Sequence, residues 1–435
     1  MSVAMRRVEI SKLGSEGLAA IVSRSPVPDP AVRQKAVDIV ATVRQGGDAA
    51  LEDANRRHGG GLSDKRMHVD RAECDEALHG LDPALRAALE AAAANIRACH
   101  LEQRPRNSSL EVQPGVHVHR TWSPLRRVGV YVPGGRAAYP SSLLMGVIPA
   151  RVAGVEEIVV VSPAAQDGAI SGVLLAAAAM LEVEEMYAIG GAQAIAALAY
   201  GTETIRPVDK IVGPGNAWVT AAKLAVFGDV AIDLPAGPSE ALVIADDDAN
   251  PRVVAADLLC QAEHGPDSPA ILVTTSQAQA DAVVAAMDDL LPGLERRSIL
   301  LSSLEKEGLV AVARDIDEAI EFANAYAPEH AGVQTADAAG VASRLTASGS
   351  VFVGHWAPHS AGDYATGANH VLPTGGLARS YGPLSVEDFG SWRQIQELTR
   401  DGLAALSETI TTIASAEGLT AHRLATEVRF EEPAP

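Results

Sequence analysis

Val128-Gly-Val-Tyr-Val-Pro-Gly-Gly135 reads as a short buried strand stopped at once by a glycine turn. The residues after Gly135 repeat that rhythm. Leu143 to Ala153 reads as helix despite Gly146 and Pro149, and Glu157-Ile-Val-Val-Val-Ser162 as strand. Val173 to Leu181 is helix, Met186-Tyr-Ala-Ile189 strand, Ala192 to Tyr200 helix, Lys210-Ile-Val212 strand and Ala217 to Phe227 helix. Short apolar strands alternating with Ala-rich helices specify a parallel sheet covered on both faces, because such strands have no side that tolerates water. A second series begins at Ala241-Leu-Val-Ile-Ala245. It continues with a helix from Val253 to Glu263, the strand Ala270-Ile-Leu-Val-Thr274, a helix to about Asp289, a helix from Asp315 to Tyr326 and the strand Ser350-Val-Phe-Val353. The expected fold is α/β, with two similar open, mostly parallel sheet domains. They are incompletely Rossmann-like, since no GxGxxG follows a strand in the first series.

Outside the two series the pattern changes. Residues 1–28 form a small N-terminal segment. Asp29 to Arg57 reads as helix interrupted at Gly46-Gly47, followed by the loop His58-Gly-Gly-Gly61, and Pro83 to Gln103 as a further helix. Leu110 to Trp122 alternates apolar and polar, which specifies hairpin strands around Pro114-Gly115. Gly354 to Arg379 is a long Gly/Pro/His-rich segment of the kind that carries function in a compact domain. From Val386 the chain reads as helical, its part from Leu403 to Val428 a tail that packs elsewhere. The expected division is 1–28, 29–127 with 239–380 as one α/β domain, 128–238 as the other, and 381–435 as a C-terminal helical tail.

The 435 residues are 47% hydrophobic, enough for two or three packed domains. A formal charge of −20 disfavours nucleic acid and anionic lipid as partners. Cys74, Cys99 and Cys260 are far apart and form no CxxC, so a thiolate metal site and a disulfide framework are not expected. The N-terminus lacks an apolar signal core, and the longest apolar run, Val173 to Leu181, is too short to span a bilayer. A soluble, cytoplasmic protein is expected.

Several residues carry candidate chemistry. Gly134-Gly135, Gly190-Gly191 and Gly213-Pro-Gly215 each follow a strand and precede a helix, which aims backbone N–H groups at the carboxyl edge of a sheet. Any one is an ordinary tight turn; three in one sheet point to a phosphate-bearing ligand. Gln261 and His264 are three apart at a helix end closed by Gly265-Pro266, and so share a face. An amide oxygen and an imidazole suit zinc better than calcium, although a cap or a surface pair is the plainer alternative. Glu329-His330, just past a helix, offers a carboxylate and an imidazole for two separate proton transfers, or else a solvated charge pair. Asp363 lies among small residues near His355, His359 and His370. His117 and His119 share one face of a strand and read as exposed. Glu417 and His422 stand at a helix start that Thr420 is suited to cap.

Taken together, Val128–Gly135, Ile189-Gly-Gly-Ala-Gln-Ala-Ile195, Gly213-Pro-Gly-Asn216, Pro235-Ala-Gly-Pro-Ser-Glu240, Gln261-Ala-Glu-His264, Ala327-Pro-Glu-His330, Gly362-Asp-Tyr364, Asn369-His-Val-Leu-Pro-Thr374 and Glu417-Gly-Leu-Thr-Ala-His422 resemble the histidinol dehydrogenase family. The match runs in order from about residue 30 to 425. The resemblance implies a zinc-dependent, NAD-linked oxidation of L-histidinol to L-histidine through the aldehyde, the last steps of histidine biosynthesis. By position Gln261, His264, Asp363 and His422 match the zinc ligands. Glu329 and His330 match the acid/base pair, and Tyr131, Gln193 and Asn216, within 128–238, match the NAD contacts. Ser239 and Glu417 match substrate contacts, with His330 and the four zinc ligands also touching substrate. The family is implied to be a homodimer whose C-terminal tails, carrying Glu417 and His422, are exchanged. His330 would take the alcohol proton and serve again in the second oxidation, with Glu329 activating water on the aldehyde between them. One departure is His359, where many members carry Glu. Two rival readings are a same-fold dehydrogenase of another small alcohol, such as a sulfonated diol, and a zinc hydrolase of an imidazole or amide. The glycine turns argue against the hydrolase, which needs no dinucleotide.

Overall fold

The apolar runs form the centres of two parallel sheets. The structure, a computed structural model, describes residues 3–134 and 138–431, so Gly135 of the first glycine turn lies outside the described residues. The chain begins with β1 (Arg6–Glu9), α1 (Ser15–Val22), α2 (Pro30–His58), α3 (Arg71–His79) and α4 (Pro83–Leu101). A hairpin, β2 (Ser108–Gln113) and β3 (Val116–Pro124), precedes β4 (Arg127–Tyr131). Then come α5 (Pro140–Ala153), β5 (Glu157–Ser162), α6 (Gly172–Met180), β6 (Glu185–Ala188), α7 (Gly191–Tyr200), β7 (Lys210–Val212), α8 (Ala217–Val226) and β8 (Ala231–Ile232). The second series is β9 (Ala241–Ala245), α9 (Pro251–Ala262), β10 (Ala270–Thr274), α10 (Gln277–Leu290), α11 (Arg297–Glu307) and β11 (Leu309–Val312). It goes on through α12 (Ile316–Tyr326), β12 (His330–Gln334), α13 (Ala338–Ser343), β13 (Ser350–Val353) and α14 (His359–Tyr364). Last come β14 (Gly390–Leu398), α15 (Arg400–Ala416) and α16 (Thr420–Glu427).

The contacts divide the chain into two units, 1–103 with 125–389 and 104–124 with 390–435. The first holds both parallel sheets. One has the order β6-β5-β4-β7-β8 and the other β1-β11-β10-β9-β12-β13, every pair parallel. Counted from the first strand of each series both run 3-2-1-4-5, with β1 added at the edge of the second. The expected pair of similar open sheets is therefore present, and in each the strand order reverses beside the first strand, between β4 and β7 and between β9 and β12.

Local chemistry sets the helix ends. Asp29 accepts the Ala31 N–H ahead of Pro30 at the start of α2, and Gly47 at φ +54 breaks that helix into two arms, as the Gly46-Gly47 pair leads one to expect. The face Ala36, Val40, Val43 and Leu51 of α2 is buried with Ile195, Leu198, Val219 and Ala222. Each large side chain so buried contributes about 1.5–3 kcal/mol. Thus α2 packs on α7 and α8, and α3 on α6, around the five-stranded sheet, whereas the sequence pattern groups 29–127 with the other sheet. Periodicity defines the α2 helix but not the partner of its apolar face.

The second unit holds the antiparallel sheet β14-β3-β2 and the helices α15 and α16. Here the expectation of a chain helical from Val386 needs correction. Val386–Phe389 is a single 3-10 turn, and Gly390–Leu398 pairs along its whole length with β3. Trp392 faces Trp122 across the ladder, and the Arg120 guanidinium lies 3.7 Å from the Trp392 ring centroid. These cross-strand contacts outweigh the helix propensity of the Gln and Glu residues in the segment.

Gly213, at the end of β7, turns the chain towards α8 at φ +113, and a Cβ there would come within 2.1 Å of the Tyr131 carbonyl oxygen. A buried ion pair fixes this turn. Lys223 pairs with Asp233 and donates to the Gly213 carbonyl at 3.1 Å, while Asp233 accepts the Gly213 N–H at 2.8 Å. Gly213→Ala is expected to lower stability by about 1–3 kcal/mol. Gly382→Ala, which meets nothing within 4 Å, should stay within about 0.5 kcal/mol of wild type. Urea denaturation of both checks this; equal midpoints would mean the turn is not constrained as described.

Candidate active site

β9 and β12 are neighbours in register, His330 beside Ala241, so the residues just before them meet at the amino edge of the six-stranded sheet. Glu329 Oε2 accepts the Ser239 hydroxyl at 2.6 Å and the Glu240 N–H at 2.8 Å. The Glu240 carbonyl accepts the His330 N–H at 3.2 Å and lies 3.2 Å from His330 Nδ1, which is also 3.4 Å from Glu329 Oε2. With two acceptors on Nδ1, the network assigns the proton there. Nε2 then faces Asp363 Oδ1 at 3.8 Å. His330 opens a strand where the sequence pattern reads as loop: His330-Ala-Gly-Val-Gln334 carries polar residues yet is wholly buried.

Both groups are buried, and their charges sustain each other. Burial opposes a charge on His330, but the Glu329 carboxylate, its hydrogen bond and then Asp363 more than offset this and raise it to about 9. Burial likewise pushes Glu329 up, yet the His330 charge, Ser239 and the Glu240 N–H hold it below the ordinary glutamate value. Glu240 is pushed up to about 7, mainly by burial, with Arg24 pulling the other way.

Within the Gly/Pro/His-rich segment, α14 sets His359 and Asp363 one turn apart, on one face. His359 stacks on His330 at 5.6 Å between ring centroids and packs against Phe352 at 4.8 Å. Neither ring nitrogen has a hydrogen-bond partner, and burial, then the charges of His330 and His264, lower it to about 3, so the ring is neutral. His370 Nδ1 lies 3.0 Å from the Asp363 carbonyl, and Asn369 donates to the Met145 carbonyl at 2.9 Å. Both anchor the loop behind Asp363. His355 packs edge-on against exposed Trp356, away from these residues. His117 and His119 stack on each other in the second unit, where His119 bonds Glu397 at 3.0 Å.

Gln261 is buried in the last turn of α9, and His264 lies just beyond the helix. The backbone N and the Nδ1 of His264 both lie 3.2 Å from the Gln261 carbonyl, which leaves Nε2 for a ligand. His264 and Asp363 line one cavity of about 470 Å³ with Tyr139, Met145, Leu89 and Tyr364. Among the described residues the side-chain nitrogen of buried Gln261 has no partner. The open imidazole of His264 and the carboxylate of Asp363 fit the mixed N/O set of a zinc ion, which Gln261 would join through its amide oxygen. Among the described residues no three His, Cys, Asp or Glu side chains gather closely enough to hold a metal by themselves. Glu417, at the end of α15, and His422, on α16, are exposed in the second unit.

At the carboxyl edge of the five-stranded sheet, Tyr131 ends β4 and its hydroxyl accepts the Gly191 N–H at 3.2 Å. Gln193 bonds Asn55 at 3.4 Å, and both it and Tyr131 are buried. Asn216 is exposed and caps α8, accepting from Trp218 and Val219. Tyr131 and Asn216 thus flank the point where the strand order reverses. Where β4 and β5 end, a cavity of about 440 Å³ is lined by Pro133, Gly134, Ser162, Pro163, Asp167, Ser171 and Gly172, and among the described residues the buried Ser162 hydroxyl has no partner. The N-terminus of α6, which borders the cavity through Ser171 and Gly172, has no side-chain cap among the described residues, whereas the Gly191 N–H at the start of α7 is taken by Tyr131. The matching crevice of the other sheet is lined by Asp246, Asp315, Asp337 and Arg344, with Asp315 and Asp337 capping α12 and α13. Both crevices thus carry acids, Asp167 in the first and three aspartates in the second. Gly190 itself answers to packing, since a Cβ there would lie 2.5 Å from the Pro163 ring.

Sequence reasoning assigns no role to Glu240 or Arg24. The one signal for Glu240 is a carboxylate directly before the apolar strand Ala241–Ala245; Arg24, in an irregular lead-in, gives none.

Comparison with known proteins agrees with this geometry. A family model described as histidinol dehydrogenase matches residues 22–430. The histidinol dehydrogenase of Methanothermobacter thermautotrophicus is 46% identical over 415 residues, 95% of this chain and 97% of that protein. That of Haloarcula marismortui is 47% identical over 425 residues, 97% and 99% of the two chains. The crystal structure of histidinol dehydrogenase from Elizabethkingia anophelis superposes with a TM-score of 0.92 at 36% identity, covering 99% of this chain and 98% of that one. With likeness in sequence and fold along nearly its whole length, the chain belongs to the histidinol dehydrogenase family.

Proposed function

We propose that this protein is a zinc-dependent, NAD-linked histidinol dehydrogenase that oxidises L-histidinol to L-histidine through L-histidinaldehyde in histidine biosynthesis. The observation that carries the reading is the buried Glu329–His330 pair with Nε2 turned towards Asp363. Family membership supplies the substrate. Gln261, His264 and Asp363 would hold the zinc ion, joined by His422 from the exchanged tail of a second subunit, with Glu417 and Ser239 reaching the substrate. Ile413, Leu419, Leu424 and Val428 leave that tail with exposed apolar side chains, which a subunit contact would cover. Tyr131, Gln193 and Asn216 would face the dinucleotide. The cytoplasm is the proposed location, supported by three free cysteines; among the described residues no helix is long and apolar enough to cross a membrane.

When bound, zinc would grip the substrate imidazole and amine as a Lewis acid, and NAD would accept a hydride in each oxidation. The chain's own residues handle the protons. With Nδ1 committed to Glu240 and Glu329, the neutral form of His330 takes the alcohol proton at Nε2 during the first oxidation, a form that zinc on Asp363 would favour by offsetting the carboxylate charge that faces Nε2. Glu329 accepts a proton from the water that adds to the aldehyde. Once that first proton has passed to solvent, His330 takes the hydrate proton in the second oxidation. Burial of both groups keeps bulk water from the aldehyde between the steps.

The direct test mixes the protein with limiting histidinol and follows nicotinamide absorbance. Two NADH per histidinol are expected, along with loss of activity on chelation and its return with zinc or manganese. One NADH per substrate, or full activity in metal-free protein, contradicts the reading. Single variants separate the roles. Glu329→Gln should lose aldehyde oxidation, and His330→Asn both oxidations, each by about 10²–10⁴-fold in kcat. Near-wild-type turnover in either variant would refute its role.

A further inference from the structure

We infer that Arg24 and Glu240 are positioning residues for this reaction: their largely buried ion pair holds the one residue, Glu240, from whose backbone N–H and carbonyl Glu329 and His330 are suspended. The inference rests on the proposed chemistry of Glu329 and His330. The Glu240 N–H fixes the Glu329 carboxylate, and the Glu240 carbonyl fixes both the backbone and the Nδ1 edge of His330. Any shift of the Glu240 backbone moves base and water-activating carboxylate together.

What keeps this backbone still is the Glu240 side chain. It pairs with Arg24 Nη1 through Oε2 and accepts the Gly375 N–H at 3.2 Å through Oε1. Arg24 reaches the other strand as well. Its Nη2 donates to the Tyr326 carbonyl, and its guanidinium lies 3.3 Å from the Tyr326 ring centroid. Tyr326 ends α12, and the chain then passes through Ala327, at φ +53, and Pro328 to Glu329. One guanidinium thus ties the approach to β9 and the approach to β12. Neither Arg24 nor Glu240 lines the cavity that holds His264 and Asp363, so both act through the residues they hold. The pair is interdependent, because a buried carboxylate deprived of its cation takes up a proton and releases its partners.

The test compares Glu240→Gln, Arg24→Gln and Arg24→Lys in the full-length zinc enzyme, with histidinol and with histidinaldehyde as substrates. Both half-reactions should lose kcat by the same factor, about ten-fold or more, because misplacement by a fraction of an ångström is costly. KM for histidinol and NAD should stay within about two-fold, since the groups that hold them are untouched. Arg24→Lys, which keeps the charge, should recover part of the loss. A purely structural pair would instead lower the melting temperature and leave kcat of the folded fraction intact, and that result overturns the inference. So does a loss confined to one half-reaction. Should Arg24→Gln fail to fold, Glu240→Gln, nearly isosteric and still able to accept from Gly375, decides alone. Wild-type protein that fails to oxidise histidinol would sink the assigned reaction, a separate outcome measured first.

Discussion

The site is organised by a shared backbone unit, at Glu240, whose donor and acceptor serve two different side chains. A parallel sheet makes this possible. Adjacent strands β9 and β12 start level with each other, so the residue before one reaches the first residue of the other. The carboxylate and imidazole are therefore oriented by main chain, which has few ways to move. Their opposite charges then sustain one another in a place where either alone would be neutral.

The two sheets share a strand order but not a chemistry. In the five-stranded sheet the crevice at the carboxyl edge is bordered by the uncapped N-terminus of α6, by Asp167 and, among the described residues, by an unpartnered serine hydroxyl. In the six-stranded sheet the same edge is lined by three aspartates and Arg344, and the acid/base pair sits at the opposite, amino edge. In a chain carrying −20, the local placement of acids differs between the two carboxyl edges, three aspartates in one against Asp167 in the other. The proposed nucleotide site and the acid/base pair thus fall on different sheets.

Most of this architecture is legible in the sequence where period and composition agree. The buried strands from Val128 to Val212 and the Ala-rich helices between them stand close to where the pattern puts them. Legibility fails where tertiary contacts override local pattern. Arg6–Glu9 is an edge strand with charged residues, His330–Gln334 a buried strand with polar ones, and Gly390–Leu398 a strand made by its pairing with β3. The short helix at His359–Tyr364 lies hidden in a segment that composition marks as loop. For the site, the motifs expose Gln261, His264, Glu329, His330 and Asp363, since chemistry restricts the residue types there. Arg24 is invisible because its role depends on a partner 216 residues away.

The measurement closest to the central claim is a pH titration of His330 by nitrogen-15 spectroscopy in the full-length protein, with the signal assigned by His330→Asn. In metal-free protein the Glu329–His330 couple predicts a ring that stays doubly protonated until about pH 9 and keeps its remaining proton on Nδ1 above it. A Glu329→Gln substitution should bring that titration to lower pH, since it removes the charge that stabilises the imidazolium. A ring that titrates at the ordinary histidine value, carries its proton on Nε2 and ignores the substitution would contradict the account.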